Sequence, residues 1–314
     1  MRWVLCAFTS LSFLPSFPSQ ARADYTFTQL DATGSSLTQA NGINNAGQIV
    51  GSARLADGKD HGFLLSGGAY STFDVPGSAG STLAAAYGIN DAGQIVGLYT
   101  TAGDIVHGFL RSGGVITKID APGATQTAAY RINNGGQVVG YFDDAGGTHG
   151  FLLSGGVFTT INVAGATSTV AVGNNDAGQI VGQYITGGVI HGFLLSGGLF
   201  TTIDVPGALR TSALGINNSG QIVGQYRSAN GDYHGFLQSG GQFTTVDFPG
   251  PITNQVAQGI NDAGVIVGTY QIQHGYLANP VPEPASIITL GTGALGLLGF
   301  GWRRRTAAAV VEKC

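Results

Sequence analysis

Three observations predict an all-β fold, a six-bladed β-propeller of four-stranded repeats. One pattern of residues is written six times along the chain at a spacing of about 40–46 residues, the length of one propeller blade. Gly, Ser, Thr and Asn are abundant while Glu and Lys are scarce, which favours strands and turns over helices. Nowhere in residues 24–280 do apolar residues recur at the 3–4 spacing of an amphipathic helix.

Each copy has four phrases. The first is YTFTQLD at 25–31, then YSTFDVPG, VITKIDAPG, VFTTINVAG, LFTTIDVPG and QFTTVDFPG. Alternation in LFTTIDV puts Phe200 and Thr202 on one face and Ile203 and Val205 nearer the other, as in a sheet covered on both sides. The second, G-I-N-[N/D]-x-G, opens at Gly42, Gly88, Arg131, Gly173, Gly215 and Gly259. Its Asn or Asp bonds its own backbone and its last Gly tolerates positive φ, so it reads as a hairpin turn. The third, Q-I-V-G, starts at Gln48, Gln94, Gln137, Gln179 and Gln221, with Val265 in the last copy. The fourth, H-G-F-L-x-S-G-G, starts at His61, His107, His149, His191, His234 and His274, and its S-G-G is another tight turn.

Six such units can close into a ring or stack as a β-solenoid. A ring removes free sheet edges and needs no capping repeats, so the propeller is preferred. Blade phase stays open: the two termini either share a blade or do not.

Both ends carry targeting signals. Residues 1–23 read as a signal peptide: Arg2, an apolar run, and the small residues Ala21 and Ala23 of an A-x-A cleavage site. At 281–305, Val281-Pro282-Glu283-Pro284 leads into a glycine-rich stretch without charge over 17 positions (286–302), about the shortest helix that spans a bilayer. Arg303, Arg304 and Arg305 then stop transfer on the cytoplasmic side, leaving 306–314 as a cytoplasmic tail.

This motif, span and arginine cluster, in that order, resemble the PEP-CTERM sorting signal of Gram-negative bacteria. The resemblance implies an exosortase-type processing enzyme as partner. It also implies transient inner-membrane anchoring through the C-terminal helix, then release to the cell surface or outside. The H-G-F-L and G-I-N-N-x-G-Q-I-V-G phrases resemble the extracellular HAF-repeat proteins, an exported family without an established activity. This chain has His-Gly-Phe, and His-Gly-Tyr at 274–276, where that family has His-Ala-Phe.

Asp is the only acid between the two end segments and outnumbers the bases there, and the whole chain carries a net charge of −4. That sign and the scattered bases exclude a nucleic-acid surface. Cys6 and Cys314 both lie in the end segments, so no disulfide or thiolate metal site is expected in the body.

The chain's six histidines are all the repeat histidines, and a reaction needs one constellation, not six copies. His61, His107, His149, His191, His234 and His274 are therefore structural stitches, each bonding a turn Asn or Asp of its own blade. Asp31, Asp74, Asp120, Asp204 and Asp247 follow the same logic, and Asn162 in their place shows that charge is dispensable. Zinc spacing is absent, and Asp143-Asp144-Ala145-Gly146-Gly147 lacks the alternating ligands of a calcium loop. No nucleophile elbow, Walker or dinucleotide fingerprint occurs. No catalytic residue, metal or cofactor is expected.

Symmetry fails in the connections after Q-I-V-G. Tyr99, Tyr141, Asp143, Tyr184, Tyr226, Asp232 and Tyr233 lie there as candidate ligand-binding residues. Aromatic platforms beside carboxylates suit sugar rings, whose faces stack and whose hydroxyls need partners. The expected function is non-enzymatic binding or scaffolding at the cell surface or in its exopolysaccharide matrix, with carbohydrate as candidate ligand. The alternatives are a propeller enzyme acting on polysaccharide, lyase or hydrolase, and a purely structural surface protein.

Overall fold

The computed structural model describes residues 25–78, 84–251 and 253–281, and among these every regular element is a strand. The sheets lie in one compact unit, Met1–Asn279; of the second unit, Pro280–Cys314, only Pro280 and Val281 are described.

After β1 (Tyr25–Leu30), the strands β2 (Leu37–Ile43), β3 (Ile49–Arg54), β4 (Asp60–Ser66) and β5 (Ala69–Phe73) form an antiparallel sheet in chain order. β6 (Ala84–Ile89), β7 (Ile95–Thr100), β8 (Val106–Ser112) and β9 (Val115–Ile119) form the next. The same meander is traced by β10 (Gln126–Ile132), β11 (Val138–Asp144), β12 (Gly147–Ser154) and β13 (Val157–Ile161). It recurs in β14 (Ser168–Asn174), β15 (Ile180–Thr186), β16 (Val189–Ser196) and β17 (Leu199–Ile203). β18 (Arg210–Ile216), β19 (Ile222–Arg227), β20 (Tyr233–Ser239) and β21 (Gln242–Thr245) follow. In the last sheet β22 (Val256–Ile260), β23 (Ile266–Tyr270) and β24 (His274–Pro280) are completed by β1, in the order β1-β24-β23-β22.

The fold is an all-β propeller, but the expected six equal blades need correction. Four sheets are discrete four-stranded blades, and β10–β17 are joined into one eight-stranded sheet. The reason is local. Ahead of Gly150, where pairing with β13 begins, β12 forms a single parallel bridge, Thr148 to Ser168 of β14. The blade phase, open in the sequence, is now fixed: the first and last strands share a sheet.

Each phrase has a physical job. In S-G-G, Gly197 (φ 56°) and Gly198 (φ 82°) both take positive φ, the two-residue hairpin that matches strand twist. The Gly of Q-I-V-G makes room for the H-G-F ring: Gly182 lies opposite Phe193, and a Cβ there would stand 2.0 Å from the Val170 carbonyl. Phe63, Phe109, Phe151, Phe193, Phe236 and Tyr276 are fully buried by this arrangement.

The innermost strand of every meander carries a β-bulge at the residue before the Gly of G-I-N: Asn41, Tyr87, Tyr130, Val172, Leu214 and Gln258. A bulge bends the strand and re-aims its extra residue. Here the bulged residues stand around the axis. Because the strands alternate in direction, N-x-x-G and S-G-G turns share one end of the sheets, and the longer connections share the other.

Candidate functional site

At the turn end, two asparagine-based rings close the axis. Asn44, Asn90, Asn133, Asn175 and Asn217 each donate a side-chain N–H to the next one's main-chain carbonyl, and Asn261 returns to Asn44, at 3.0–3.2 Å. The second N–H of Asn44 goes to Gln48 Oε1 at 2.9 Å, and Asn44 Oδ1 accepts the Gln48 N–H, which explains the Gln of Q-I-V-G. Just outside runs a ring of alternating side chains: Asn45, Asp91, Asn134, Asp176, Asn218 and Asp262. Each of its three Asn amides donates to both neighbouring carboxylates at 2.9–3.0 Å.

Beneath the rings, Ile43, Ile89, Ile132, Ile216 and Ile260 line the channel, with Asn174 in the sixth position. Asn174 Nδ2 donates to the Gln137 carbonyl at 2.9 Å, whereas its buried Oδ1 has no partner among the described residues. Next comes Arg131, where the other five copies have Gly. Its guanidinium donates to the Asn41 carbonyl at 2.8 Å, Gln258 at 2.5 Å, Tyr130 at 3.1 Å and, more closely, Tyr87. Burial pulls its pKa down to about 10, so it stays a cation at neutral pH. Arg131 thus plugs the channel by capping four carbonyls of the bulged strands.

Above Arg131, at the long-loop end, a cavity of about 230 Å³ opens, lined by Tyr87, Tyr130, Val170, Val172, Gln183, Leu214, Gln225, Val256 and Gln258. Tyr87 and Tyr130 meet edge to face at 5.0 Å, and Tyr141 lies 5.8 Å beyond Tyr130. Burial raises all three phenol pKa values, Tyr130 well above 10, so the hydroxyls remain protonated. Facing them, Gln183, Gln225 and Gln258 have side-chain amides that, among the described residues, no protein group engages. A second depression of about 290 Å³ adjoins through Gln225, Val256 and Gln258 and adds Gln39, Tyr233, Asn254, Thr269 and Ile272.

The repeat histidines lie outside this axis. His61 Nδ1 bonds Asp74 at 2.5 Å, His107 Asp120 at 2.9 Å, His149 Asn162 at 3.0 Å, His191 Asp204 at 2.8 Å and His234 Asp247 at 2.6 Å. His274 reaches Asp31 of the opening phrase at 2.9 Å, across the seam. Most of these imidazoles also lie against an aromatic ring: Tyr99 on His107, Phe142 on His149, Tyr184 on His191, Tyr226 on His234 and Tyr270 on His274, at 5.1–5.5 Å. For His61, burial works to lower the pKa, but hydrogen bonds and charge from Asp74 and Asp57 outweigh it and raise the value.

The seven expected ligand-binding residues therefore separate. Tyr141 lies beside the axial tyrosines and Tyr233 lines the adjoining depression. Asp143 accepts a bond from Thr148 at 2.7 Å, and Asp232 one from Asn230 at 2.8 Å. Tyr99, Tyr184 and Tyr226 lie on histidines, and the Tyr184 and Tyr226 hydroxyls contact Thr202 and Thr245. Tyr87, Tyr130, Gln183, Gln225 and Gln258 went unnoticed in the sequence. Their signal was there: the residue before the Gly of G-I-N (Tyr87, Tyr130, Gln258) and the residue after the Gly of Q-I-V-G (Gln183, Gln225) change chemistry from copy to copy. Among the described residues, no cluster of three or more His, Cys, Asp or Glu could hold a metal ion.

Fold and tail define an exported propeller. Residues 280–305 match the PEP-CTERM protein-sorting motif, which marks a protein exported and processed at the membrane and recognised by an exosortase. Pro282, Glu283, Pro284, Arg303, Arg304 and Arg305 lie outside the described residues, as do the spanning segment 286–302, the tail 306–314 and the leader 1–23 with Ala21 and Ala23. No curated protein matches the sequence.

Among solved structures, the fold is similar to AofleA from Arthrobotrys oligospora, with 14% identity over 84% of this chain and 88% of that one, TM-score 0.52. Also similar are virginiamycin B lyase from Staphylococcus aureus with quinupristin (12% identity, 82% of this chain and 100% of that one, TM-score 0.48) and Aleuria aurantia lectin with Fucalpha1-6GlcNAc (14%, 73% and 81%, TM-score 0.44). At such identities the likeness is one of fold alone.

Proposed function

We propose that this is a non-enzymatic carbohydrate-binding protein of the cell surface or its polysaccharide matrix, with its site at the long-loop mouth of the axis. One observation carries the reading: Tyr87 and Tyr130, with Tyr141 against Tyr130, line one cavity with the unengaged amides of Gln183, Gln225 and Gln258. Phenol rings give a sugar face something to stack on, and amides offer both donors and acceptors to its hydroxyls. Of the residues expected from sequence, Tyr141 and Tyr233 join this proposal. The histidine–aspartate pairs and the tyrosines on them belong to the frame. The lining of the mouth contains no carboxylate pair, which supports binding over glycoside hydrolysis. The HAF-type relationship, a Gram-negative source and a closed ring of six modules belong to the same proposal.

The test is a glycan array followed by titration calorimetry. Binding that weakens at least tenfold in Gln225→Ala and Gln183→Ala, with unchanged thermal unfolding, is the expected result. Binding indifferent to both substitutions, or none at all, leaves a purely structural surface protein.

A further inference from the structure

Resting on that carbohydrate reading, we propose that the mouth takes the uncharged end of a glycan chain, end-on, and not residues in the chain's interior. The first argument is closure. Below the tyrosines the passage is stopped by Arg131 bonded to four carbonyls, and further down by the unbroken Asn44–Asn261 ring. A chain cannot thread the axis, so a ring seated in the cavity can continue only on the long-loop side.

The second argument is size and connection. At about 230 Å³ the cavity is smaller than the roughly 300–1,000 Å³ pockets of drug-sized ligands, so it suits a single sugar ring. It opens sideways, past Gln225, Val256 and Gln258, into the second depression of about 290 Å³. A terminal ring between the tyrosines and the amides thus has a place for the next ring, against Tyr233, Gln39 and Thr269. An interior residue would need an exit on both sides.

The third argument is charge. Of the residues lining the two depressions, Arg131 is the charged one, and both its terminal nitrogens are already bonded to carbonyls. A uronic acid carboxylate would lose its water and gain no cation in return. Neutral hydroxyls, in contrast, are matched by glutamine amides and phenols.

The experiment uses the protein body against amylose, cellulose, mannan and galactan, with alginate and polygalacturonate as charged probes. The neutral glucan or mannan that binds is then partially hydrolysed and offered again at equal mass. Shortening the chains tenfold multiplies the ends tenfold, and the bound amount should rise in proportion; for amylose, α-cyclodextrin, which has no ends, should not compete. Tyr130→Ala and Gln225→Ala should each abolish this rise. Capacity that does not change on hydrolysis, while still depending on Gln225, overturns end recognition and leaves the carbohydrate site standing. Gln225-dependent binding of alginate overturns neutrality. Binding to none of the probes, or binding that ignores both substitutions, removes the site itself.

Discussion

The two ends of the axis are built from the same six inner strands and could hardly differ more. At the turn end every strand contributes the same Asn, and beside it Asn or Asp in strict alternation. At the long-loop end the six bulged positions carry Asn, Tyr, Tyr, Val, Leu and Gln. The alternation has a reason. An all-Asn ring would face amide N–H against amide N–H; an all-Asp ring would gather like charges without donors. Alternating them gives each carboxylate two amide donors, and only an even number of modules can complete such a circle. Repetition marks where the fold is held shut; variation marks the mouth proposed to bind a ligand.

Substitutions at the two ends should therefore separate stability from binding. The largest effect on folding lies in the shared frame: Phe193→Ala empties a fully buried ring site and should cost about 3–5 kcal/mol in urea unfolding. Arg131→Gly restores the residue of the other copies but strands four carbonyls. With water able to enter from the mouth, a loss of about 2–3 kcal/mol is expected. Asn134→Asp sets three carboxylates side by side and removes two amide donors, which should lower stability by about 2 kcal/mol, less at high salt. Inverting the whole ring, with Asp at 45, 134 and 218 and Asn at 91, 176 and 262, restores alternation and should recover most of that loss. If it does not, the pairing argument is wrong. At the other end, Gln183→Ala should change the melting temperature negligibly while weakening glycan binding. Equal loss of stability at both ends would erase the contrast.

The smallest effect concerns pH. The raised pKa of His61 means that its pairing with Asp74 and Asp57 contributes stability fully below the ordinary histidine value near 6.5. That contribution is lost as pH climbs through the raised value. His61→Gln should flatten the fall in melting temperature over roughly pH 6–8; an unchanged slope would show that the pair does not titrate there.

Much of the frame was legible because each phrase encodes local chemistry. G-I-N-N-x-G announced its turn and S-G-G its hairpin; each histidine was expected to bond a turn Asn or Asp, but its partner is the Asp or Asn that ends the T-T-I-D phrase. The fused sheet was not legible, since it rests on a single parallel bridge, Thr148 to Ser168, between strands of neighbouring repeats. The site was half legible. Successive strand residues face opposite sides, so the residue after the Gly of Q-I-V-G (Ser52, Leu98, Tyr141, Gln183, Gln225, Thr269) and the one after that (Ala53, Tyr99, Phe142, Tyr184, Tyr226, Tyr270) point differently. Tyr141 falls in the first set and joins the axial tyrosines. Tyr99, Tyr184 and Tyr226 fall in the second and rest on histidines. Arg131 looked like a slip in a glycine position; nothing in a one-dimensional pattern says that it lies at the common axis.

The seam between β1 and β24 carries a consequence for secretion. β24 ends at Pro280, the residue with which the sorting motif begins, and its partner is the first strand of the body. The opening strand must therefore wait, unlatched, until the whole body has emerged, and the clasp is the final part to snap into place. Trimming downstream of Pro280 leaves that clasp intact, whereas a cut a few residues upstream would open it.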